Sequence, residues 1–223
     1  MLDFDAIIFD FDGVLLESEL EINRLTAELL TELGHPTTLK EALEHYTGLT
    51  GADVLRVMEA RIGSPVPQQF HDSMRQAGAR ALADGIGPIE GAVDFVRALP
   101  TALRKAVASS SSTEWIRTHL DHLGLRDAFE PHIYSGKEHV SRGKPAPDLY
   151  LLAARELGLP IERTVVIEDS KVGATGALSS GATVIGLAAG KHCLDGHADM
   201  LRCAGVENVA NSFDEVKAFL GLA

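Results

Sequence analysis

Cysteine is nearly absent from this chain, which has only Cys193 and Cys203 among its 223 residues. Two cysteines are too few for a disulfide framework, so we expect a reducing, cytoplasmic location. The N-terminal segment has no basic leader, and we therefore expect no signal peptide. No apolar stretch approaches the roughly 20 residues of a membrane span, so no membrane partner is predicted.

Basic residues are also scarce, with 20 lysines and arginines against 32 aspartates and glutamates, a formal net charge of −12. Nucleic acids select surfaces that are rich in lysine and arginine, so this deficit argues against a nucleic-acid partner. A small anionic substrate stays compatible with the charge, because a few local cations can hold it in a site. With 45% hydrophobic and 23% charged residues, the chain has the composition of a globular enzyme.

The order of apolar runs and helical patterns predicts two structural units. After a short apolar run at 6–9, helix follows helix from about 18 to 84 without a strand signal. Further along, short apolar strands alternate with helices, which is the pattern of a parallel sheet. We predict an α/β fold, with a Rossmann-like parallel-sheet core of residues 1–16 and 86–223 and an inserted all-helical cap of residues 17–85.

Helix starts inside this cap are predicted from capping residues. Ser18 with Glu21, and Thr38 with Glu41, have the spacing of a capping box. Ile22 then falls on the apolar face of the first predicted helix, which we expect to pack inward.

Polar side chains recur where the predicted strands end. Ligands bind beyond the carboxyl ends of the strands in an open parallel sheet, so these side chains should meet there. They are Asp10 and Asp12 after the first strand, Ser109 and Ser110 after the second, Lys144 ahead of a helix, and Glu168 and Asp169 after the strand 164–167.

Converging carboxylates repel each other unless a cation lies among them. Mg²⁺ prefers carboxylate oxygens and phosphate, so Asp10, Glu168 and Asp169 are its predicted ligands. With the charge of a phosphate neutralised by Mg²⁺ and Lys144, one carboxylate can attack phosphorus. Asp12, two residues further on, can then serve as general acid and base.

The phosphate itself needs further ligands. Hydroxyl groups and backbone amides at the ends of strands are suited to hold its oxygens. We therefore predict Ser109, Ser110 and Lys144 as the phosphate-binding residues.

Four ordered motifs of this chain resemble those of the haloacid dehalogenase (HAD) superfamily, in the subfamily whose helical cap follows the first motif. They are D-F-D-G-V-L at 10–15, A-S-S at 108–110, G-K-P-A-P-D at 143–148 and V-I-E-D-S at 166–170. The resemblance implies a Rossmann-like core, a nucleophile at Asp10 and an acid/base at Asp12 that lends its backbone carbonyl to the metal. It also implies Mg²⁺ held by Asp10, Glu168 and Asp169.

Four functions fit such a chain. We favour hydrolysis of a small phosphorylated metabolite, a sugar phosphate or phosphorylated sugar acid, with a β-phosphoglucomutase-like phosphosugar mutase as the alternative. The mutases carry a histidine and an arginine in the cap, where this sequence aligns Ile22 and Gly51, and this favours the phosphatase. Carbon–halogen hydrolysis is disfavoured by Asp12, and a non-catalytic binding protein by the intact motifs. Substrate contacts in the cap are predicted for Ser18, Arg24 and Thr50.

Other chemically active side chains are given structural interpretations. His119 and His122 share a helix face and are expected at the surface, while Trp115 is expected in the core or an interface. The set His192, Cys193, His197 and Cys203 lacks a recognised zinc spacing and is interpreted as incidental.

Overall fold

A central parallel sheet organises the molecule, whose structure is a computed structural model that describes residues 4–49 and 51–222. Its strands are β1 (Ala6–Phe9), β2 (Arg104–Ser109), β3 (Ile133–Ser135), β4 (Thr164–Glu168), β5 (Thr183–Leu187) and β6 (Asn208–Ala210). They lie in the order β3-β2-β1-β4-β5-β6, and every pairing is parallel. The predicted Rossmann-like α/β fold is therefore confirmed.

Strand β1 lies in the middle of the sheet and is buried on both faces. Alternate side chains of a strand point to opposite faces, and each face of β1 enters a different hydrophobic cluster. Ile7 and Phe9 pack in one cluster, whereas Ala6 and Ile8 pack in the other. This burial on both faces explains why the strand has a continuous apolar run rather than an alternating pattern.

Helices cover both faces of the sheet. They are α5 (Ala92–Ala98), α6 (Thr113–Leu123), α7 (Arg126–Phe129), α8 (Asp148–Glu156), α9 (Lys171–Ser180), α10 (His197–Cys203) and α11 (Phe213–Leu220). A 3-10 turn, Ile161–Arg163, leads into β4. None of the helices in the described ranges has the length and apolar character that a bilayer crossing requires.

Four consecutive helices follow β1 along the chain and precede α5 and β2, as the sequence predicts. They are α1 (Ser18–Glu32), α2 (Leu39–Tyr46), α3 (Gly51–Ile62) and α4 (Gln68–Asp84). These helices share a hydrophobic cluster of their own, centred on Leu30, Met58 and Phe70. The division into a core and a cap at residues 17 and 85 stays a prediction.

Only one of the two predicted capping boxes forms. Thr38 and Glu41 exchange both hydrogen bonds and start α2. At α1 the N-cap is Glu17, without a side-chain cap hydrogen bond, and Ser18 is the first helical residue, whose hydroxyl donates to Asp12. Ile22, predicted to pack inward, is 41% exposed.

Candidate active site

The parallel register brings the predicted site residues to one edge of the sheet. Phe9 pairs with Val107 on β2 and with Ile167 on β4, so the three strands end at nearly the same level. The backbone N–H of Asp10 donates to the carbonyl of Ile167 at 3.0 Å and continues this alignment past β1. Glu168 is the last residue of β4.

An acidic cluster of Asp10, Glu168 and Asp169 lies at this edge. One carboxylate oxygen from each residue lies within 4.8 Å of the other two, and all three side chains are buried. Lys144 enters from the loop before α8, with its Nζ 2.8 Å from Asp10 Oδ1 and 2.6 Å from Glu168 Oε1. One ammonium group thus faces three carboxylates.

The pKa shifts reflect this excess of negative charge. Burial, and then repulsion from Glu168, raises the pKa of Asp10 well above its ordinary value despite the attraction of Lys144. Burial would also raise the pKa of Glu168, but the charge and hydrogen bond of Lys144 outweigh it and hold that pKa below its usual value. The same two carboxylates raise the pKa of Lys144 against the effect of its burial. The site therefore favours a further cation.

A divalent metal ion fits the donor atoms of the acidic cluster. All of them are carboxylate oxygens, which Mg²⁺ and other hard cations prefer. Among the described residues, Asp169 Oδ1 is a buried polar atom without a hydrogen-bond partner, which is costly unless a cation binds there. The cluster can thus hold a divalent cation.

Glu168 is held in place on both of its oxygens. Oε1 accepts from Lys144 and from the Tyr150 hydroxyl, each at 2.6 Å, and Oε2 accepts from the backbone and hydroxyl of Ser170 at 3.1 and 3.0 Å. An added Cβ at Gly173 would lie 1.7 Å from Glu168 Oε1, so only glycine leaves room for this carboxylate. Sequence reasoning missed Tyr150, whose position two residues after the third motif was the available signal.

Asp12 lines the same cleft and is fixed by four donors. Ser18 and Trp115 donate to Oδ1 at 2.6 and 3.1 Å, and Ser111 and Ser109 donate to Oδ2 at 2.6 and 3.3 Å. The expectation for Trp115 was incomplete, because its indole N–H reaches the site. Its partner Asp12 is 103 positions away in sequence, and no local pattern signals this contact.

A glycine after Asp12 is required by the packing of the site. Gly13 has φ +79°, and an added Cβ would lie 2.1 Å from Asp169 Oδ2. Both the left-handed backbone and the close approach exclude a side chain here. The glycine of the first motif therefore lets Asp169 approach the loop after β1.

The predicted phosphate-binding serines differ in their exposure. Ser109 is buried, and its Oγ accepts from the Ser111 N–H at 3.0 Å while it donates to Asp12. Ser110 is exposed and lines the cleft, as does Lys144. Their roles in phosphate binding stay predictions.

A cleft of about 460 Å³ opens between these residues and the first helices of the predicted cap. The lining residues from the cap side are Glu19, Ile22, Gly48, Leu49 and Gly51. A larger cavity of about 1060 Å³ continues outward between α1, α4 and the core, and Ile22, Ser111, Trp115 and Lys137 line both. A small ligand can therefore reach Asp10 and Asp12.

The predicted substrate contacts of the cap lie at different depths. Ser18 has no exposed surface and is bound to Asp12. Arg24 is exposed, forms an ion pair with Glu21 and lines the outer cavity. Thr50 lies outside the described residues. Substrate binding by these three residues stays a prediction.

Glu19 is a half-buried carboxylate in the cleft that sequence reasoning did not select. Burial, followed by repulsion from Asp169 and Asp12, raises its pKa to about 7. The glutamate can therefore change its charge near neutral pH.

Two histidines contact Asp169, contrary to the interpretation that they are incidental. His192 Nε2 lies 3.0 Å from Asp169 Oδ2, and its Nδ1 lies 3.5 Å from Glu17 Oε1. His197 Nε2 lies 2.7 Å from the Asp169 carbonyl oxygen. Burial would lower the pKa of His192, but its hydrogen bonds, led by that to Asp169, raise it to about 12. His119, expected at the surface, is fully buried against Trp115.

Known proteins are similar to this chain in both sequence and fold. The family model of haloacid dehalogenase-like hydrolases matches residues 7–187. The chain is 29% identical over 182 residues to the fructose-1-phosphate phosphatase YqaB of Escherichia coli, across 80% of this chain and 93% of that protein. It is 30% identical over 185 residues to a phosphorylated carbohydrates phosphatase of Thermotoga maritima, across 79% of this chain and 82% of that protein. A HAD family hydrolase of Deinococcus radiodurans, solved with bound phosphate and sodium, is similar with a TM-score of 0.83 and 35% identity, across 100% of this chain and 97% of that chain.

Proposed function

We propose a specific activity for this chain, which belongs to the haloacid dehalogenase-like hydrolase family. In this proposal the chain is a Mg²⁺-dependent phosphatase that hydrolyses a sugar phosphate or phosphorylated sugar acid. The reaction passes through an aspartyl-phosphate on Asp10. The chain is a phosphoric monoester hydrolase, as its relatives are. The metal, the covalent intermediate and the kind of metabolite are the proposal. The observation that carries it is Lys144, placed between Asp10 and Glu168 at 2.8 and 2.6 Å beside the unpartnered oxygen of Asp169.

Asp10 is the proposed nucleophile. One of its carboxylate oxygens attacks phosphorus, a bond from Asp10 to phosphorus forms, and the bond from phosphorus to the substrate oxygen breaks. Bound Mg²⁺, held by Asp10, Glu168 and Asp169 with the Asp12 backbone carbonyl, would neutralise charge on the phosphoryl group. Lys144 adds a fixed positive charge at the same place.

Asp12 is the proposed general acid and base. It gives a proton to the departing alcohol oxygen, and it then takes a proton from the water that attacks phosphorus. In that second step the bond between Asp10 and phosphorus breaks, which frees the Asp10 carboxylate and releases inorganic phosphate. Its four hydrogen-bond donors orient the carboxylate at the cleft that also holds Asp10. Ser109, Ser110 and Lys144 would hold the phosphate oxygens.

The size of the cleft supports a small metabolite. Its volume of about 460 Å³ falls within the range of roughly 300–1,000 Å³ that small-molecule sites occupy. Ile22 and Gly51 line it at the positions where the mutases carry a histidine and an arginine. Neither residue offers a proton relay or a guanidinium group for a second phosphate, and this supports the phosphatase over the mutase.

Phosphorus NMR on a panel of hexose 1-phosphates, hexose 6-phosphates and phosphorylated sugar acids tests the proposal. With Mg²⁺ we expect inorganic phosphate from at least one of these substrates, and no conversion of a 1-phosphate to a 6-phosphate even with a bisphosphate primer. Stoichiometric conversion without phosphate release would establish the mutase instead.

Two variants test the covalent step in the same assay. Asp10→Asn should lower turnover by several orders of magnitude while the fold persists, since the nucleophile and one metal ligand are lost. Asp94→Asn replaces an exposed aspartate on α5 and should leave turnover unchanged. Turnover of Asp10→Asn within about tenfold of wild type would contradict the mechanism.

A further inference from the structure

Two histidines and a cysteine come together behind Asp169, and we call His192, Cys193 and His197 the His-Cys-His cluster. One potential ligand atom from each residue lies within 4.8 Å of the other two. The His192 ring is fully buried, while Cys193 and His197 are half-buried. The cluster lies between the end of β5 and the first turn of α10 and is separate from the cleft that holds Asp10 and Asp12.

The spacing within the cluster suits tetrahedral coordination. A zinc ion binds sulfur at about 2.3 Å and imidazole nitrogen at about 2.0 Å, so two such ligands lie about 3.5 Å apart at a tetrahedral angle. His192 Nε2 and Cys193 Sγ are 3.4 Å apart. This pair therefore already has the separation that a shared zinc ion requires.

A fourth donor is close to the same point. Asp169 Oδ2 lies 3.0 Å from His192 Nε2, and carboxylate oxygen is a frequent zinc ligand. Together with His197, these atoms supply two imidazoles, one sulfur and one carboxylate oxygen. Four donors of these types complete a tetrahedral site.

The charges around the cluster favour a cation. Asp169 and Glu17 lie on the two ring nitrogens of His192, at 3.0 and 3.5 Å. The sulfur of Cys193 lies against the ring of His192, with Sγ 3.4 Å from Nε2. A divalent ion bound among these groups would compensate the negative charge of both carboxylates.

The donor types distinguish this cluster from the acidic cluster. Nitrogen and thiolate sulfur select borderline and soft ions such as Zn²⁺, whereas Mg²⁺ prefers the all-oxygen set of Asp10, Glu168 and Asp169. We propose that His192, Cys193 and His197 form a second cation site, which binds a thiophilic divalent ion such as Zn²⁺ next to the acidic cluster. Asp169 contributes to both sites, one oxygen to each.

Cobalt is the probe for this site, because a cobalt–thiolate bond absorbs in the near ultraviolet. The full chain is titrated with Co²⁺ in excess Mg²⁺, with a non-thiol reductant to keep both cysteines reduced. We expect the thiolate band to saturate at one Co²⁺ per chain and to disappear when Zn²⁺ is added. The measurement needs no turnover, so its result is independent of the proposed phosphatase activity.

Matched serine variants identify the sulfur ligand. Cys193→Ser should abolish the near-ultraviolet band, whereas Cys203→Ser, at an exposed cysteine outside the cluster, should keep it. His197→Gln keeps the sulfur and should weaken Co²⁺ binding by about tenfold or more. Circular dichroism melts establish that each variant is folded before its titration is interpreted.

Three outcomes would overturn the proposal. They are the absence of the band in folded wild-type protein, its persistence in Cys193→Ser, and its loss in Cys203→Ser. Unchanged Co²⁺ affinity in His197→Gln would remove His197 from the site and overturn the three-residue assignment.

Discussion

Replacing Lys144 with methionine removes the cation on which two buried carboxylates depend while it keeps a side chain of similar length. The side chains of Lys144, Asp10 and Glu168 are at most 10% exposed. Removal of one partner from a buried ion pair costs about 3–5 kcal/mol, because a buried charge is left uncompensated. In Lys144→Met we therefore expect the free energy of unfolding at neutral pH, without divalent cations, to fall by about 3–5 kcal/mol.

The pH dependence of this loss follows from the pKa of Glu168. Lys144 holds that pKa below its unfolded value, so the stabilisation is present above the unfolded pKa and is lost as the pH falls through the folded pKa. The difference between wild type and Lys144→Met should therefore be largest at neutral pH and should close as the pH falls through the folded pKa of Glu168. Mg²⁺ should restore more stability to the variant than to wild type, because it supplies a substitute cation for Asp10 and Glu168.

Thermal melts in a chelator measure the effect. For a chain of this size, each 1 kcal/mol shifts Tm by roughly 2–4 °C, so Lys144→Met should melt about 6–20 °C lower. Lys137→Met, at an exposed lysine on the mouth of the same cleft, is the control and should change stability by less than about 0.5 kcal/mol. A drop in Tm for Lys144→Met that is no larger than that of the control would refute the reasoning.

Three further predictions concern the acid/base, the metal and the cleft. Asp12→Asn should slow alkyl phosphates more than aryl phosphates in steady-state assays, because good leaving groups need little protonation; equal losses would contradict its role as general acid. Chelation should abolish phosphate release, Mg²⁺ should restore it, and Ca²⁺ should restore it poorly because its coordination shell is larger and more flexible; full phosphate release after exhaustive chelation would contradict the proposed metal dependence. Burial, Asp169 and Asp12 raise the pKa of Glu19 to about 7, so its stabilising protonated form is lost as the pH rises from the unfolded pKa through 7. In denaturant titrations with chelator, Glu19→Gln should raise the free energy of unfolding by up to about 3 kcal/mol at about pH 8 and by almost nothing at about pH 4. An equal increase at both pH values would exclude the raised pKa of Glu19 as its cause.

Much of the fold was predictable because strands in a parallel sheet have a simple sequence pattern. Apolar runs buried on both faces located β1 and β4, and the parallel rule placed the residues that follow them at one edge. Asp10, Glu168 and Asp169 could therefore be grouped before their distances were known. This rule on the carboxyl ends of parallel strands depends only on where the backbone of each strand ends. It holds here because β1, β2 and β4 pair in a regular register.

Side-chain partners were less predictable because they depend on contacts that are distant in sequence. Ser18 has the spacing of a capping residue, but α1 already begins at Ser18 with Glu17 as its N-cap, and the Ser18 hydroxyl donates to the charged acceptor Asp12. Trp115 reaches the same carboxylate from α6. The His-Cys-His cluster does not have the ligand spacing of known zinc fingers, and its three side chains are brought together by the turn before α10.

The N-terminal turn of α1 is connected to both Asp12 and Asp169. Asp12 is held by Ser18 from the first helix of the predicted cap and by Ser111 and Trp115 from the core. Asp169 is held by His192, which also contacts Glu17 at the start of that same helix. The N-terminal turn of α1 thus touches the partners of both the proposed acid/base and a proposed metal ligand. A substitution in this turn is therefore expected to alter the chemical step, since it changes the groups that orient both carboxylates.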